Sequence, residues 1–381
     1  MIYFLATVAA IAGFLFGYDE GIIAVAGPLL ETEFPMDPAM RGFMTAAVPL
    51  GALCAAVFAG PVADRLGRRR VLMAAATLFM AGSLAAGAIV AVWMLVAARL
   101  VLGVAIGMAA VAAPLYIAES APLARRGGMV ATYQLAITIG ILGSYLTGLV
   151  IGGAGSWRSM FDLGAVPAVL FLAGLAVLPE SPRWLALKGR TGEAKVAADT
   201  GAKAGYGALW TPTVRPALLV AVALFFLQQL SGINAVIYYA PEIFSHAGFG
   251  SGDTRILATV GIGTVNCLTT VLAMVLIDRL GRRRLLVLGF AGAAATMLLI
   301  ALAVTLPAAI PAWLVIVLLL LYIASFAISL GPLPHVMMSE VFPLRARGPG
   351  MSAASISNWG FNFLVVFTFP ILLAGPGLDF T

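Results

Sequence analysis

Apolar residues run through this chain in long blocks with few polar interruptions, and those blocks set its architecture. A hydrocarbon core of about 30 Å takes about 20 helical residues to cross. Eleven blocks reach that length, near 2–25, 40–62, 71–91, 92–118, 128–151, 160–179, 214–240, 254–277, 285–306, 311–338 and 349–374. They predict an all-α, polytopic membrane protein. The stretch 181–212 breaks the pattern with Arg183, Lys188, Arg190, Lys195 and Lys203, and predicts a loop with short amphipathic helices. The opening 1–15 has no basic n-region and leads straight into polar residues, so it reads as a first span rather than a cleaved signal peptide.

Composition agrees: 62% of the residues are hydrophobic and 10% charged, against about 25% charged in soluble domains. An isoelectric point near 9.6 would suggest a nucleic-acid partner for a soluble chain. Here the basic residues sit in short loops between spans, so a lipid bilayer is the expected surrounding and nucleic acid is not. Eighteen of the twenty-two Lys and Arg residues fall in the loops after spans 2, 4, 6, 8 and 10. The opposite loops hold only Arg41, Arg158 and Arg255, and Arg99 lies inside a span. Basic loops face the cytoplasm, which predicts a plasma (inner) membrane protein with a cytoplasmic N-terminus. Cys54 and Cys267 both sit in apolar segments and read as buried structural thiols rather than a disulfide framework. His246 and His335 lack metal-ligand spacing. No metal or cofactor is expected, and no nucleophile–base pair points to an enzyme.

The chain repeats itself. Asp64-Arg65-Leu66-Gly67-Arg68-Arg69-Arg70 returns as Asp278-Arg279-Leu280-Gly281-Arg282-Arg283-Arg284, 214 residues on. Glu119, Pro122-Leu123 and Arg126-Gly127 return as Glu340, Pro343-Leu344 and Arg347-Gly348, 221 residues on. Two copies in one order and one membrane orientation mean two parallel halves with a site between them near mid-membrane. The halves are expected over 1–180 and 213–381, joined by the linker 181–212.

Polar groups inside the apolar blocks mark candidate chemistry. Gln228-Gln229-Leu230-Ser231-Gly232-Ile233-Asn234 runs on to Tyr238-Tyr239 within span 7. Amides bring a donor and an acceptor each, and a tyrosine an apolar ring with a polar tip. Such groups suit a small, uncharged, hydroxyl-rich ligand, a sugar or polyol; the plainer reading is hydrogen bonding between helices. Asp19 is ionisable and lies inside a span, as does Arg99, and intramembrane charges are functional or paired. Burial opposes the carboxylate and Arg99 favours it, so a change in their distance would move a proton; the alternative is a static pair that orders the first bundle. Glu20 points about 100° away from Asp19 on a helix and is expected at the cavity mouth. Gly103 and Gly107 form a small-xxx-small pair for close packing, and Gly331-Pro332-Leu333-Pro334 predicts a kink in span 10. The two aspartate–arginine loops are either topogenic charge with helix capping or a latch. The latch would join Asp64, Arg65, Arg68, Arg126, Arg183, Asp278, Arg282 and Arg347 with Glu119, Glu180 and Glu340. Each exposed pair in it would contribute about 0–1 kcal/mol.

Read jointly with Gly17-Tyr18-Asp19, Arg99 with Gly103 and Gly107, Pro179-Glu180-Ser181-Pro182-Arg183-Trp184, Gly331-Pro332 and Asn358-Trp359, these motifs resemble the sugar porter branch of the major facilitator superfamily over essentially the full length. The resemblance implies two six-helix bundles rocking about a central site, and a monomer. It implies that Gln228, Gln229 and Asn234 contact sugar hydroxyls, with Tyr238 one turn beyond Asn234. Gln134 and Asn266 fall at sugar-contacting positions, Trp359 at an aromatic on which the ring packs, and Asn358 at a polar amide. Proton-coupled members carry an aspartate and an arginine where Asp19 and Arg99 stand, which implies proton symport. A facilitative uniporter is the nearest rival, and a non-transporting sugar sensor a further one. Two departures stand out. His335 replaces a tryptophan five residues before the span 10 glutamate, and is counted with the substrate-binding set. A twelfth span is expected where the sequence stops at Thr381.

Overall fold

The structure, a computed structural model, describes residues 2–122, 126–152, 156–189, 206–246, 252–305, 312–343 and 346–374. The side chains of Arg126, Asp278, Glu340 and Arg347 lie outside the described part, as do residues 190–205 of the expected linker and residues 375–381. Every regular element among the described residues is helical. The first half holds α1 (Ile2–Glu33), α2 (Pro38–Leu66), α3 (Arg68–Gly87), α4 (Val92–Ser120) and α5 (Arg126–Ile151), then α6 (Trp157–Leu163) and α7 (Ala165–Val177), which together make one span. The short α8 (Pro182–Leu187) follows. The second half holds α9 (Arg215–Leu230), α10 (Ile233–Tyr238), α11 (Ala240–His246), α12 (Gly252–Leu280), α13 (Arg282–Thr305), α14 (Ala312–Ser325), α15 (Leu333–Val341) and α16 (Arg347–Leu373). Eleven spans are long and apolar enough to cross a membrane among the described residues. The first runs to Glu33, eight residues beyond the expected end, because Gly27-Pro28 does not interrupt its helix.

The repeat is visible in the backbone. Gly67, between α2 and α3, and Gly281, between α12 and α13, both have positive φ, at 100° and 79°. Each copy of the aspartate–arginine motif thus turns from one span into the next through a conformation that glycine adopts without a Cβ penalty. Where Gly67 sits, a Cβ would also strike the carboxylate of Glu180.

Small residues determine how the helices approach. Gly13, Gly17 and Gly21 form a stripe on α1 that faces α5, and a Cβ on Gly17 would overlap the backbone of Ile137. Gly103 and Gly107 of α4 meet the α2 backbone at Val48 and Ala52 in the same way. Helices in lipid gain little from apolar burial against each other, so close backbone approach and good contact carry the association. The α1–α5 stripe places Asp19 and Glu20 deep in the first half, both buried. The halves meet along α1 with α10 and α11, α2 with α16, and α5 with α12.

Gly17→Val should overpack the α1–α5 contact. We expect a loss on the order of 1–3 kcal/mol, read as a lower melting temperature of the purified protein in detergent. A melting temperature equal to the parent's would refute the close-approach role.

Candidate functional site

Two spans are broken at mid-depth, and the breaks build the site. α9 ends at Leu230 and α10 restarts at Ile233, with Gly232 between them at φ 83°. In span 10 the helix passes through a π segment at Phe326–Leu330, and Gly331 N–H reaches back to the carbonyl of Phe326. The cause is local. Proline has no N–H, so the carbonyl four residues earlier loses its helical partner, and in an apolar interior it must find another.

Side chains at the site supply those partners. Pro334 releases the carbonyl of Leu330, which accepts from Gln228 Nε2 at 2.6 Å. Pro49 releases that of Thr45, which accepts from Arg99 at 3.3 Å, while Arg99 Nε donates to Met44 at 3.0 Å. Pro241 releases Ile237, which accepts from the Tyr145 hydroxyl at 2.9 Å. Pro370 releases Val366, which accepts from the Tyr239 hydroxyl at 3.2 Å. At the helix break itself, the carbonyl of Ser231 accepts from the Tyr322 hydroxyl at 2.7 Å.

A cavity of about 470 Å³ lies between the halves, within the usual range for small-ligand sites. Gln134, Gln228, Gln229, Asn234, Asn266, His335, Asn358 and Trp359 all line it. A string of amides runs along one wall: Asn234 Nδ2 donates to Gln229 Oε1 at 2.5 Å, and Gln229 Nε2 donates to Asn358 Oδ1 at 2.5 Å. Trp359 leans on Phe16 from the other half, ring centres 5.2 Å apart. His335 stands edge-on to Phe225, and its Nδ1 lies 3.4 Å from the carbonyl of Gly331. Tyr238 is a correction. It is not on the cavity wall but lines a much smaller gap beyond it, with Glu31, Arg41 and Glu242. One helical turn past Asn234 carries it out of the cavity toward the closed end.

Asp19 and Arg99 sit behind the wall, 2% and 0% exposed, with Oδ1 and Nη1 3.7 Å apart. That separation is an ion pair without a hydrogen bond. Asp19 Oδ2 has no partner among the described residues. Glu20 lies beside them at mid-span and faces the cavity, 4% exposed, rather than standing at its mouth.

The two ends of the cavity differ. At the arginine-rich end it reaches Glu119 and Arg183. Arg68 pairs there with Glu119 at 2.9 Å and Asp64 at 3.0 Å, and Ser181 donates to Glu119 at 2.5 Å. Glu180 differs from the expected latch partner: its carboxylate accepts the backbone N–H groups of Arg68 and Arg69 and thus caps α3, rather than meeting a guanidinium. All of these contacts lie within the first half. Arg65, Arg183 and Arg282 are exposed.

The opposite end is bolted shut. Arg41 of α2 grips Glu242 of α11 through both guanidinium nitrogens, one bond measuring 2.8 Å. Its Nε also meets Glu31 of α1 at 2.6 Å. The same guanidinium lies over the ring of Tyr239, 5.4 Å from its centre, and Tyr239 stacks on Phe369. Arg41 stood in the sequence only as an isolated charge outside the basic loops. Its signal was position alone, since Glu31 lies on the preceding helix and Glu242 lies 201 positions on.

The profile of a family described as "Sugar (and other) transporter" matches residues 5–379. The galactose-proton symporter of Escherichia coli (strain K12) is 38% identical over 98% of this chain and 85% of its own length. The D-xylose transporter of Levilactobacillus brevis is 35% identical over 96% and 85%. The E. coli xylose transporter XylE, in a partially occluded inward open conformation, superposes with a TM-score of 0.85 at 30% identity, covering 100% of this chain and 93% of that one.

Glu242→Gln removes the charge that joins the halves at the closed end. In a variant without Cys54 and Cys267, we expect a cysteine placed at Ile237 to react severalfold faster with a membrane-impermeant thiol reagent applied from that side. Unchanged labelling would show that the bolt does not hold the end closed.

Proposed function

Since the chain belongs to the sugar transporter family, a group of membrane-spanning carriers and not enzymes, we propose that it carries a monosaccharide or polyol by alternating access, in symport with a proton. The observation that carries this reading is the amide-lined cavity backed by a buried carboxylate–guanidinium pair and closed at one end only. The galactose, xylose and proton named for its relatives support the same chemistry. Amides at mid-membrane can trade their mutual bonds for sugar hydroxyls at little net cost. Gln134, Gln228, Gln229, Asn234, Asn266, His335 and Asn358 take the hydroxyls in this reading, and Trp359 supplies the flat face for the ring.

Asp19 is the proton carrier in this scheme. Arg99 keeps hydrogen bonds to Met44 and Thr45 whether or not Asp19 is charged, so protonating Asp19 does not strand the guanidinium. Loading Asp19 from outside loosens the pair, the halves rock, and release inside lets the pair tighten again. The arginine-rich end faces the cytoplasm, together with the N-terminus, which makes the present state open to the inside. The halves extend over 1–180 and 213–381, the chain works as a monomer, and the arginine–glutamate network around Arg68 and Glu119 acts as the inner gate.

Counterflow and gradient-driven uptake in proteoliposomes test the proposal. With an inward proton gradient the protein should accumulate one of a panel of hexoses, pentoses and inositols. Asp19→Asn should retain exchange and lose accumulation; accumulation that survives the substitution rejects Asp19 as the carrier. Asn234→Ala should weaken sugar binding about tenfold or more, the scale of one or two lost hydrogen bonds, in protein that still reaches the membrane. Unaltered affinity would move the site elsewhere.

A further inference from the structure

Of the charged side chains along the cavity, Glu119 pairs with Arg68, Arg183 is exposed at the mouth, and Asp19 faces Arg99 behind the wall. Glu20 is left over. It lines the cavity at mid-span, it is 4% exposed, and it has no hydrogen bond or ion pair among the described residues. It is close enough to act electrostatically on Asp19 and on the phenols of Tyr133, Tyr145 and Tyr238. An unpaired carboxylate so placed is costly in an apolar surround, and no amide or arginine turns toward it.

The remaining unpartnered atoms on the wall lean the same way. Gln228, Gln229 and Asn234 each give one amide N–H to a partner within the protein. Gln228 Oε1 and Asn362 Oδ1, both acceptors, are buried without partners, and so is the Tyr133 hydroxyl, which can act as either. The wall thus carries three unpartnered atoms able to accept, in the same cavity as the unpaired Glu20 carboxyl. A neutral sugar hydroxyl brings one donor and no charge, whereas an ammonium brings three donors and the missing counter-charge.

From this juxtaposition we propose that Glu20 reads substrate charge, so that the cavity takes an amino sugar carrying a free ammonium in preference to the matching neutral sugar. The proposal rests on the reading of the cavity as a sugar site. Replacing a neutral hydrogen bond by a charge-assisted one raises affinity by about tenfold or more. An N-acetylated amine has lost the charge and gains nothing from Glu20.

The test is equilibrium binding to the purified full-length protein, by calorimetry at neutral pH, with D-glucosamine, D-glucose and N-acetyl-D-glucosamine. Glucosamine should bind about tenfold tighter than glucose, and N-acetylglucosamine should show no advantage. In Glu20→Gln the glucosamine-to-glucose ratio should fall close to one. Glucose binding with no glucosamine preference in the unaltered protein overturns the inference about Glu20 and leaves the sugar site standing, with no variant needed. A preference that persists in Glu20→Gln overturns it as well. Binding of none of the three overturns the sugar-site reading and this inference together.

Discussion

A backbone carbonyl stripped of its helical partner cannot be left bare in hydrocarbon, and that constraint organises this molecule. Four prolines, at 49, 241, 334 and 370, each free the carbonyl four residues earlier. Each of those carbonyls is met by a side chain from another helix: Arg99 on Thr45, Tyr145 on Ile237, Gln228 on Leu330 and Tyr239 on Val366; Arg69 does the same for Leu175 at the end of α7. The bonds cost the spans some helical regularity and return contacts between helices. Tyr145 to Ile237 joins α5 of one half to α10 of the other. The other bonds stay within one half.

Between these ties the helices are held by proximity rather than by polar bonds. The glycine stripe on α1 lets the α5 backbone come close, and Gly103 and Gly107 do the same between α4 and α2. These contacts lie inside the first half, which makes it a stiff body around Arg99. The joins between halves are fewer in kind: the crossings of α2 with α16 and α5 with α12, and the charged bolt of Arg41, Glu31 and Glu242. Stiff halves and a breakable joint between them are what rocking about a central cavity requires. At the arginine-rich end Arg68 pairs with Asp64 and Glu119, and Ser181 donates to Glu119.

Charge is distributed with the same economy. Arg99 has backbone carbonyls as fixed partners and Asp19 as a looser one at 3.7 Å. The guanidinium is thus stable in place while the carboxylate beside it is free to change state. The amides of span 7 are tied to each other and to spans 10 and 11 by bonds that a ligand can replace one for one. The second half carries the amide string, while the first half adds Gln134 and Glu20 to the cavity and holds Asp19 and Arg99 behind it.

Much of this was legible in the residues. Eleven apolar blocks, the paired aspartate–arginine motifs and the charge bias of the loops required a two-fold repeated membrane bundle, because span length and backbone satisfaction leave no other arrangement. Gln228, Gln229 and Asn234 announced a polar site because amides inside an apolar block need partners. The pairing was not legible. Arg41 meets Glu242 across 201 positions of sequence, Glu180 caps α3 through backbone N–H groups, and Tyr238 falls beyond the cavity although it shares a helix face with Asn234. Glu20 was read as a mouth residue, since helix phase gives direction around an axis and not depth against a partner. The sequence by itself determined which segments cross the membrane and which polar groups must be satisfied there, since both follow from length and solvation. Only the tertiary structure decided which partner each group found and which end of the cavity is shut, because those depend on how helices distant in the chain are brought side by side.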